Sequence, residues 1–175
     1  MLAFDLETTG LDPVSDRITC AAVYDPERGI ERAFLFALGD DPEEFMLHLD
    51  HAERLCAFNG AEFDLAFVAA QFGASQERQR AWRLKLHDVY VACRLGLGVT
   101  FPLQALLEAN GLQGKTGSGS DAVRLFREGR WTELADYCLH DTRMTHRVSS
   151  LPSIVIPKWA GGLRMLPTGA FECVL

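Results

Sequence analysis

The sequence predicts an α/β fold in which an antiparallel meander of strands precedes helices and a further strand. Apolar residues among the first 38 positions form runs that suit strands, and clusters of glycine, aspartate and proline separate these runs. From residue 40 onward, apolar residues mostly recur at helical spacing. A chain of 175 residues, 48% of them hydrophobic, is long enough to bury one core. We therefore expect one globular α/β domain.

Four strands are expected from apolar runs that end at turn residues. Residues 1–8 form the first strand, and Gly10 with the aspartate and proline that follow it marks a turn. Residues 17–24 and 30–38 form the second and third strands, which a short turn joins as in a meander. Residues 54–58 form a short, buried fourth strand.

Helices are expected where capping residues precede an apolar pattern. In the helix over residues 40–52, Asp41 is the expected N-cap and Pro42 occupies the first turn. A second helix over residues 61–72 ends at Gly73. The chain from residue 76 to residue 148 is expected to be mainly helical, with breaks at 96–101 and 111–120 and with Asp88 as a structural helix cap.

Cysteine usage and hydropathy indicate the compartment. The five cysteines are odd in number, widely spaced and without a CxxC pair, which favours buried thiols over disulfides or zinc ligands. No apolar run approaches the roughly 18 residues that a membrane span needs. The chain starts directly in a strand, so we expect no signal peptide and a cytoplasmic protein.

Charge is distributed unevenly along a chain whose net charge is −7. Residues 1–75 carry 15 acidic and 4 basic residues, whereas residues 76–175 carry 9 acidic and 13 basic residues. An acidic half that holds a metal beside a basic half suits a phosphate-bearing substrate. Solvated surface charge explains the same asymmetry equally well, so the distribution only supports other evidence.

The first strand carries two carboxylates where a buried strand is otherwise apolar. Asp5 and Glu7 are two residues apart, so both side chains project from the same face of the sheet. Two carboxylates held together at the edge of a core repel each other and lose hydration. A divalent cation between them removes both costs. The sequence therefore predicts a metal site at this strand.

Two further segments place acidic residues in apolar surroundings. Asp64 is the acid near the start of an apolar helix that follows Asn59 and Gly60. An acid at this position is also explained by a favourable interaction with the helix dipole, and Asn59 by a turn before the helix. Tyr137 and Asp141 lie four residues apart and share a helix face, as an ordinary surface pair also would. Each of these two segments alone has a structural explanation, and both indicate a site only when they are taken together with the first strand.

In their order and spacing, the three segments resemble the motifs of the DEDD superfamily of 3′-to-5′ exonucleases. Residues 4–10 (FDLETTG), 59–68 (NGAEFDLAFV) and 137–141 (YCLHD) are similar to the first, second and third motifs, and the resemblance covers residues 1–148. The histidine branch of this superfamily needs a histidine five residues before the last aspartate, where this chain has Asp136. With Tyr137 four residues before Asp141, the chain resembles the tyrosine branch, DEDDy.

The resemblance implies an RNase H-like fold, with a mixed five-stranded sheet (three antiparallel strands, then parallel ones) flanked by helices. It also implies two divalent cations, Mg²⁺ or Mn²⁺, bound by hard carboxylate oxygens. Asp5 would be shared by both cations, Glu7 and Asp141 would complete the site that activates water, and Asp64 would help to hold the second cation. Tyr137, whose unperturbed pKa is about 10, would orient the attacking water rather than act as a base.

Expected substrate contacts follow from the same resemblance. Thr8 and Gly10 would hydrogen-bond the terminal nucleotide through the backbone, and Leu11 would wedge against its base. Phe63 would stack on that base, and Asn59 would touch the penultimate sugar or phosphate. For Leu11 and Phe63, a plain core role is an equally open alternative.

A glycine-rich stretch, GKTGSGS, separates two predicted helices and contains Lys115. It lacks the first glycine and the preceding strand of an NTPase phosphate loop. We instead expect Lys115 to lie along the substrate backbone. Arg124, Arg127 and Arg130 would then form either a phosphate track or a solvated helix face.

We expect an exonuclease domain over residues 1–150 and a C-terminal extension over residues 151–175, whose apolar segments form a hairpin packed on the domain or on a second subunit. The expected activity is metal-dependent hydrolysis from the 3′ end of single-stranded nucleic acid, with release of nucleoside 5′-monophosphates. An RNase H-like endonuclease and a catalytically silent nucleic-acid-binding module are the alternatives. The expected substrates are 3′ ends of single-stranded DNA or RNA. The expected protein partner is a polymerase, a helicase or a second copy of the chain, and no membrane contact is expected.

Overall fold

A mixed five-stranded sheet forms the centre of the fold in a computed structural model, which describes residues 1–114, residues 119–157 and the backbone of residues 164–167. The strands are β1 (Leu2–Thr8), β2 (Ile18–Asp25), β3 (Ile30–Phe34), β4 (Leu55–Ala57) and β5 (Leu86–Asp88). Their order in the sheet is β3-β2-β1-β4-β5. The first three strands in sequence pair antiparallel, whereas β4 runs parallel to both β1 and β5. This arrangement confirms the predicted fold class.

Helices cover both faces of the sheet. Among the described residues they are α1 (Pro42–His51), α2 (Asp64–Phe72), α3 (Gln76–Leu84), α4 (Val89–Leu97), α5 (Leu103–Ala109), α6 (Gly119–Arg127) and α7 (Trp131–Ser149). The predicted cap of α1 is confirmed, because the Asp41 side chain accepts the backbone N–H of Glu43 and Pro42 begins the helix. Gly73, in a left-handed conformation, ends α2 as predicted.

The third strand is shorter than the prediction over residues 30–38. Its pairing with β2 ends at Phe34, and the next backbone N–H, that of Leu35, donates to Asp40 Oδ2 at 2.6 Å. The chain then turns through a short 3-10 helix, Phe36–Leu38. The apolar pattern continues past the strand in part because Phe36 of the 3-10 turn packs against the core, whereas Leu38 is exposed.

Two other boundaries also differ from the predictions. The helix predicted from residue 61 begins at Asp64, after a turn in which the Phe63 N–H donates to Asn59 O at 2.9 Å. The strand Leu86–Asp88 lies in the stretch predicted to be mainly helical. Three residues are too few for the strand periodicity to be visible in the sequence.

The two faces of the sheet bury different clusters. On one face, Phe4 and Leu6 of β1 pack with α1, with α2 and with Trp82 of α3. On the other face, Cys138 of α7 packs with Cys20 of β2. A third cluster joins α4 and α5 to the last turns of α7 and to the chain that follows it. Because α7 lies across both β1 and β2, the end of the described domain is packed against its beginning.

A pair of short strands follows α7. The strands β6 (Ser153–Ile156) and β7 (Arg164–Pro167) pair antiparallel. Asn110 at the end of α5 holds β6 in place, since its Nδ2 donates to Val155 O at 2.9 Å and its Oδ1 accepts the Val155 N–H at 2.8 Å. The side chains of β6 that face the core are buried in the third cluster.

The cysteines in the described part of the chain are free, buried thiols, as predicted. These are Cys20, Cys56, Cys93 and Cys138, while Cys173 lies outside the described residues. Across residues 1–114 and 119–157, no helix combines the length and the apolar character that crossing a membrane requires.

Candidate active site

Asp5 and Glu7 project from the face of β1 that α7 covers. A carboxylate oxygen of each residue and the Cys138 Sγ all lie within 4.8 Å of one another. The Cys138 thiol also donates to the backbone O of Asp5 at 3.7 Å. Alternation along the strand keeps both acids on the face opposite Phe4 and Leu6. The first strand thus holds two carboxylates side by side at the edge of the core.

Asp64 is a buried acid next to Asp5. It is the first residue of α2, is 3% exposed, and its Oδ1 has no hydrogen-bond partner among the described residues. Burial, followed by the nearby carboxylates of Asp5 and Asp88, raises the pKa of Asp64 well above its ordinary value. A favourable helix dipole lowers the pKa of a carboxyl group, so the dipole is not the dominant influence on Asp64.

Tyr137 and Asp141 lie on the buried face of α7. Their exposed fractions are 6% and 1%, so they are not the surface pair of the alternative explanation. Burial, and then the charges of Asp141, Glu7 and Asp5, raise the pKa of the Tyr137 phenol. The third motif therefore lies against the first. Because the raised pKa keeps the phenol protonated at neutral pH, Tyr137 can donate a hydrogen bond but cannot serve as a base.

The four acids form what we call the carboxylate cluster, which comprises Asp5, Glu7, Asp64 and Asp141. Buried carboxylates that repel one another, one with an oxygen lacking a hydrogen-bond partner in the described chain, fit a site for divalent cations. The donor set consists of hard oxygens, which suit Mg²⁺ or Mn²⁺. Cys138 is a poor additional ligand for these cations, because thiolate sulfur is soft and its thiol donates a hydrogen bond to Asp5 O.

Hydrogen bonds within the loop after β1 explain several of its residues. The Asp16 carboxylate accepts hydrogen bonds from Thr9 Oγ1 at 3.1 Å and from the Asp12 N–H at 3.0 Å. A Cβ on Gly10 would lie 2.3 Å from Asp16 Oδ2, so a larger residue at position 10 would displace the carboxylate that holds the loop. Thr8 Oγ1 in turn donates to Gly10 O. Thr8 and Gly10 therefore shape the loop, whatever contact they make with a substrate.

Next to the second motif lies a groove of about 540 Å³, which we call the aromatic cleft. Three predicted substrate contacts, Leu11, Asn59 and Phe63, line it together. Leu11 is 83% exposed and does not belong to the core, whereas Phe63 is partly buried against Phe67 at a ring-centroid distance of 4.9 Å. Sequence reasoning missed the other residues that line the cleft, which are Phe58, Tyr90, Thr100, Phe101 and Pro102.

Asp88 connects the second-motif loop to α4. Its Oδ1 accepts the N–H groups of Asn59 at 3.0 Å and Val91 at 3.1 Å, and its Oδ2 accepts the N–H of Ala61 at 2.9 Å. Among the described residues other than glycine, Asn59 alone has a left-handed backbone, with a φ of 67°. The predicted cap role of Asp88 is confirmed, and the same carboxylate also fixes the loop that leads to Asp64.

Replacing Asp88 with alanine should destabilise the protein more than the loss of an ordinary cap. The substitution leaves three N–H groups without their acceptor, and a buried donor without a partner costs about 1–3 kcal/mol. Ser75→Ala is the matched control, because Ser75 caps α3 through a single bond to the Arg78 N–H. Urea unfolding should give the larger loss for Asp88→Ala. Equal losses in the two variants would mean that the bonds to Asn59 and Ala61 contribute little.

A second groove of about 540 Å³ is lined in part by Tyr137, and we call it the arginine cleft. Its arginines, Arg124, Arg130 and Arg143, form ion pairs with Glu128, Glu133 and Glu31. Such exposed pairs are weak and exchange readily for another anion. Arg124 lies on α6 and Arg130 directly precedes α7, and both are paired with glutamates close to them in sequence. Lys115, the other predicted backbone contact, lies outside the described residues.

Solved structures of other proteins share this fold. A family B DNA polymerase from the hyperthermophilic archaeon Pyrobaculum calidifontis superposes with a TM-score of 0.65 at 19% identity, over 85% of this chain and 24% of the polymerase. This chain thus spans about a quarter of the polymerase that it matches. The apo form of a nuclease superposes with a TM-score of 0.55 at 21% identity, over 84% of this chain and 68% of the nuclease. No curated protein matches the sequence significantly.

The family comparison covers most of the chain. A family model described as the RNase_H superfamily matches residues 2–151. The matched range contains the whole five-stranded sheet, all of the helices named above and every member of the carboxylate cluster. The chain belongs to the RNase H superfamily.

Proposed function

We propose that the protein is a metal-dependent 3′-to-5′ exonuclease that hydrolyses single-stranded nucleic acid and releases nucleoside 5′-monophosphates. One observation carries the proposal: Asp5, Glu7, Asp64 and Asp141 come together with Tyr137 from three distant segments of the chain. The similarity to a solved nuclease supports a nuclease activity on this fold. The tyrosine at the fourth position before Asp141 supports the DEDDy branch.

The carboxylate cluster would hold two divalent cations, Mg²⁺ or Mn²⁺. Bound divalent cations supply a deprotonated water near neutral pH and stabilise charge on the attacking and leaving oxygens. Asp5 suits a ligand shared by both sites, since it lies beside Glu7 and also raises the pKa of Asp64. Glu7 and Asp141 would complete the site next to Tyr137, and Asp64 would complete the other.

The remaining roles belong to side chains that orient the reactants. The Tyr137 hydroxyl, kept protonated by its surroundings, would donate a hydrogen bond that orients the attacking water. Leu11 and Phe63 would hold the terminal base in the aromatic cleft, and Asn59 would touch the penultimate sugar or phosphate. Thr8 and Gly10 would contribute backbone hydrogen bonds. Lys115 would lie along the backbone of the nucleic-acid substrate. Phosphate groups of the substrate would take the place of the glutamates in the weak ion pairs of the arginine cleft.

The test is digestion of 5′-labelled single-stranded DNA and RNA of the same sequence, with Mg²⁺ or Mn²⁺. We expect a ladder that shortens from the 3′ end and the release of 5′-mononucleotides. Both should be absent with EDTA and in the Asp5→Ala variant. A circular single strand is the control for direction, because it has no 3′ end and should stay intact.

Other outcomes would replace the proposal with one of its alternatives. Internal fragments from the linear strand, or cleavage of the circle, would indicate an RNase H-like endonuclease. Binding of metal and oligonucleotide without any cleavage would indicate a catalytically silent module, or an enzyme that needs a polymerase or helicase partner. Adding such a partner would separate these last two cases.

Tyr137→Phe should slow the reaction without weakening metal binding. The substitution removes the hydroxyl that orients water and keeps the ring that packs in the core, so kcat should fall by about 10–100-fold. The affinity for Mn²⁺, measured by calorimetry, should not change, because Tyr137 is not a ligand. Asp141→Ala is the comparison, and it should weaken Mn²⁺ binding. An unchanged kcat in Tyr137→Phe would show that the Tyr137 hydroxyl does not orient the attacking water.

A further inference from the structure

Both asparagines of the chain, Asn59 and Asn110, are followed directly by glycine. Glycine has no Cβ to hinder its backbone nitrogen, so in an Asn-Gly pair this nitrogen can attack the side-chain carbonyl carbon of the asparagine. In a folded protein, the reaction depends on the hydrogen bonds that hold the asparagine side chain and the glycine N–H. The two pairs have the same sequence, but they differ in these bonds.

Hydrogen bonds hold both reacting groups of the pair Asn110-Gly111. Asn110 Nδ2 donates to Leu106 O at 2.8 Å and to Val155 O at 2.9 Å, and Asn110 Oδ1 accepts the Val155 N–H at 2.8 Å. The Gly111 N–H donates to Glu108 O at 3.1 Å. The amide group and the nucleophilic nitrogen of this pair are therefore both engaged, and both must be released before they can react.

The reacting groups of the pair Asn59-Gly60 are not held in this way. Among residues 1–114 and 119–157, no atom forms a hydrogen bond with the Asn59 side-chain amide or with the Gly60 N–H. The Asn59 side chain is partly exposed and lines the aromatic cleft. The Asp88 carboxylate binds only the flanking N–H groups, those of Asn59 and Ala61. The amide and the nitrogen that would react are thus available to each other.

The turn itself favours this labile pair of residues. Asn59 has a φ of 67°, and asparagine is one of the few residues other than glycine that adopt a left-handed backbone readily. A Cβ on Gly60 would lie 2.4 Å from the Cβ of Ala57, which is fixed to β4, so the close approach requires glycine. The local structure therefore selects the same dipeptide that is prone to deamidation.

We propose that Asn59 is a site of spontaneous deamidation in the folded protein, whereas Asn110 is protected. The Gly60 nitrogen forms a bond to Asn59 Cγ, and the Cγ–Nδ2 bond breaks. Nδ2 leaves as ammonia, together with the proton of the Gly60 N–H. Water then opens the resulting cyclic imide at either of its carbonyl groups. The products are aspartate and isoaspartate, and in isoaspartate the main chain runs through Cβ and Cγ.

Either product would change the loop that leads to Asp64. Aspartate places a negative charge in the aromatic cleft, whose described lining residues are all uncharged. Isoaspartate adds a methylene group to the main chain between the two N–H groups that bond to Asp88 at 3.0 and 2.9 Å, so the loop can keep both bonds only by moving. We therefore expect deamidation to lower the cleavage activity, an expectation that rests on the proposed function.

Mass spectrometry of the protein during storage tests the assignment. The full chain is kept at mildly alkaline pH, with and without urea, and samples are digested at acid pH to avoid deamidation during handling. In the folded protein, Asn59 should deamidate at least about 10-fold faster than Asn110, because several hydrogen bonds must break before Asn110 can react. In urea the two pairs should react at similar rates, since only the fold distinguishes them. Labelling by an isoaspartyl methyltransferase detects the isoaspartate product.

Two results would overturn the assignment. One is equal rates for the two asparagines in the folded protein, and the other is a reaction of Asn59 that occurs only in urea. Neither measurement depends on the activity of the protein.

A second experiment measures the consequence for activity. In Asn59→Gly, glycine suits the left-handed backbone and the reactive amide is absent. Each stored protein is compared with its own fresh sample, so the initial rate of the variant does not affect the result. The wild type should lose hydrolysis of a single-stranded oligonucleotide in proportion to its modified fraction, and Asn59→Gly should keep its starting rate.

The outcomes separate the effect of deamidation from the proposed function. Equal losses of activity in the wild type and in Asn59→Gly would overturn the effect on the loop. Absence of hydrolysis in the fresh wild type would overturn the proposed function, and mass spectrometry would still decide whether Asn59 deamidates.

Discussion

Replacing Asp64 with asparagine is expected to abolish cleavage of nucleic acid and to stabilise the metal-free protein. Asparagine has nearly the same shape but no charge, so it removes a buried carboxylate that lies near the carboxylates of Asp5 and Asp88. The free energy of unfolding at neutral to alkaline pH should rise by about 1–3 kcal/mol. The cleavage rate should fall by about 10³-fold or more, because a ligand that supports transition-state charge is lost.

The gain in stability should depend on pH in one direction. The pKa of Asp64 is raised above 3.8 in the folded protein, so the folded protein keeps a proton that the unfolded chain has already released. The stability of the wild type should therefore fall as the pH rises from about 4 through the folded pKa, by up to about 1.4 kcal/mol per pH unit. The difference between the variant and the wild type should be small at acid pH and largest above the folded pKa.

Urea unfolding in EDTA across this pH range measures the effect. Asp136→Asn makes the same chemical change at an exposed position of α7, and its stability should follow that of the wild type at every pH. If Asp64→Asn were less stable than the wild type in EDTA, the Asp64 carboxylate would be a structural group with compensating partners rather than a ligand.

Saturation with Mn²⁺ should stabilise the wild type strongly. A cation that binds only the folded carboxylate cluster raises the free energy of unfolding by about 2.7 kcal/mol at a concentration 100 times Kd. The gain should be larger at pH values where the cluster is ionised, since protons compete with the cation. Thermal unfolding at several Mn²⁺ concentrations measures this shift. Asp5→Asn should lose most of it, because Asp5 is the ligand proposed for both sites.

Cys138→Ser is the control for the identity of the ligands. The Cys138 Sγ lies within 4.8 Å of carboxylate oxygens of Asp5 and Glu7, but Mn²⁺ prefers hard oxygen ligands to soft sulfur. The Mn²⁺ shift should therefore survive in Cys138→Ser. Loss of the shift in this variant, together with stronger stabilisation by Zn²⁺ than by Mn²⁺, would identify a thiolate site instead.

Two pairs at the candidate site could be predicted from local signals, whereas the grouping of both pairs with Asp64 came from the resemblance to the DEDD motifs. Asp5 and Glu7 interrupt an apolar strand at a spacing of two, and Tyr137 and Asp141 have the spacing of four that places them on one helix face. These spacings fix which side chains point together, whatever packs against them. The same holds for the caps of α1 and α4, where a single aspartate bonds an N–H group two or three residues later.

The aromatic cleft could not be predicted in the same way. Tyr90 lies in the first turn of a helix and Phe101 in a loop, and their local patterns indicate only those elements. Packing of α4 and α5 near the second-motif loop brings them to Phe58, over distances in sequence that periodicity does not report. The second role of Asp88 was missed for the same reason, since its bonds to Asn59 and Ala61 are long-range.

The packing of α7 across β1 has a consequence during protein synthesis. Asp5 leaves the ribosome early, but Asp141 follows only when almost the whole domain has been made. Until α7 folds onto the sheet, the nascent chain has neither the last carboxylate nor Tyr137. A growing polypeptide surrounded by messenger and ribosomal RNA would thus have no complete hydrolytic centre. The proposed hydrolysis of nucleic acid would begin only with the finished tertiary structure.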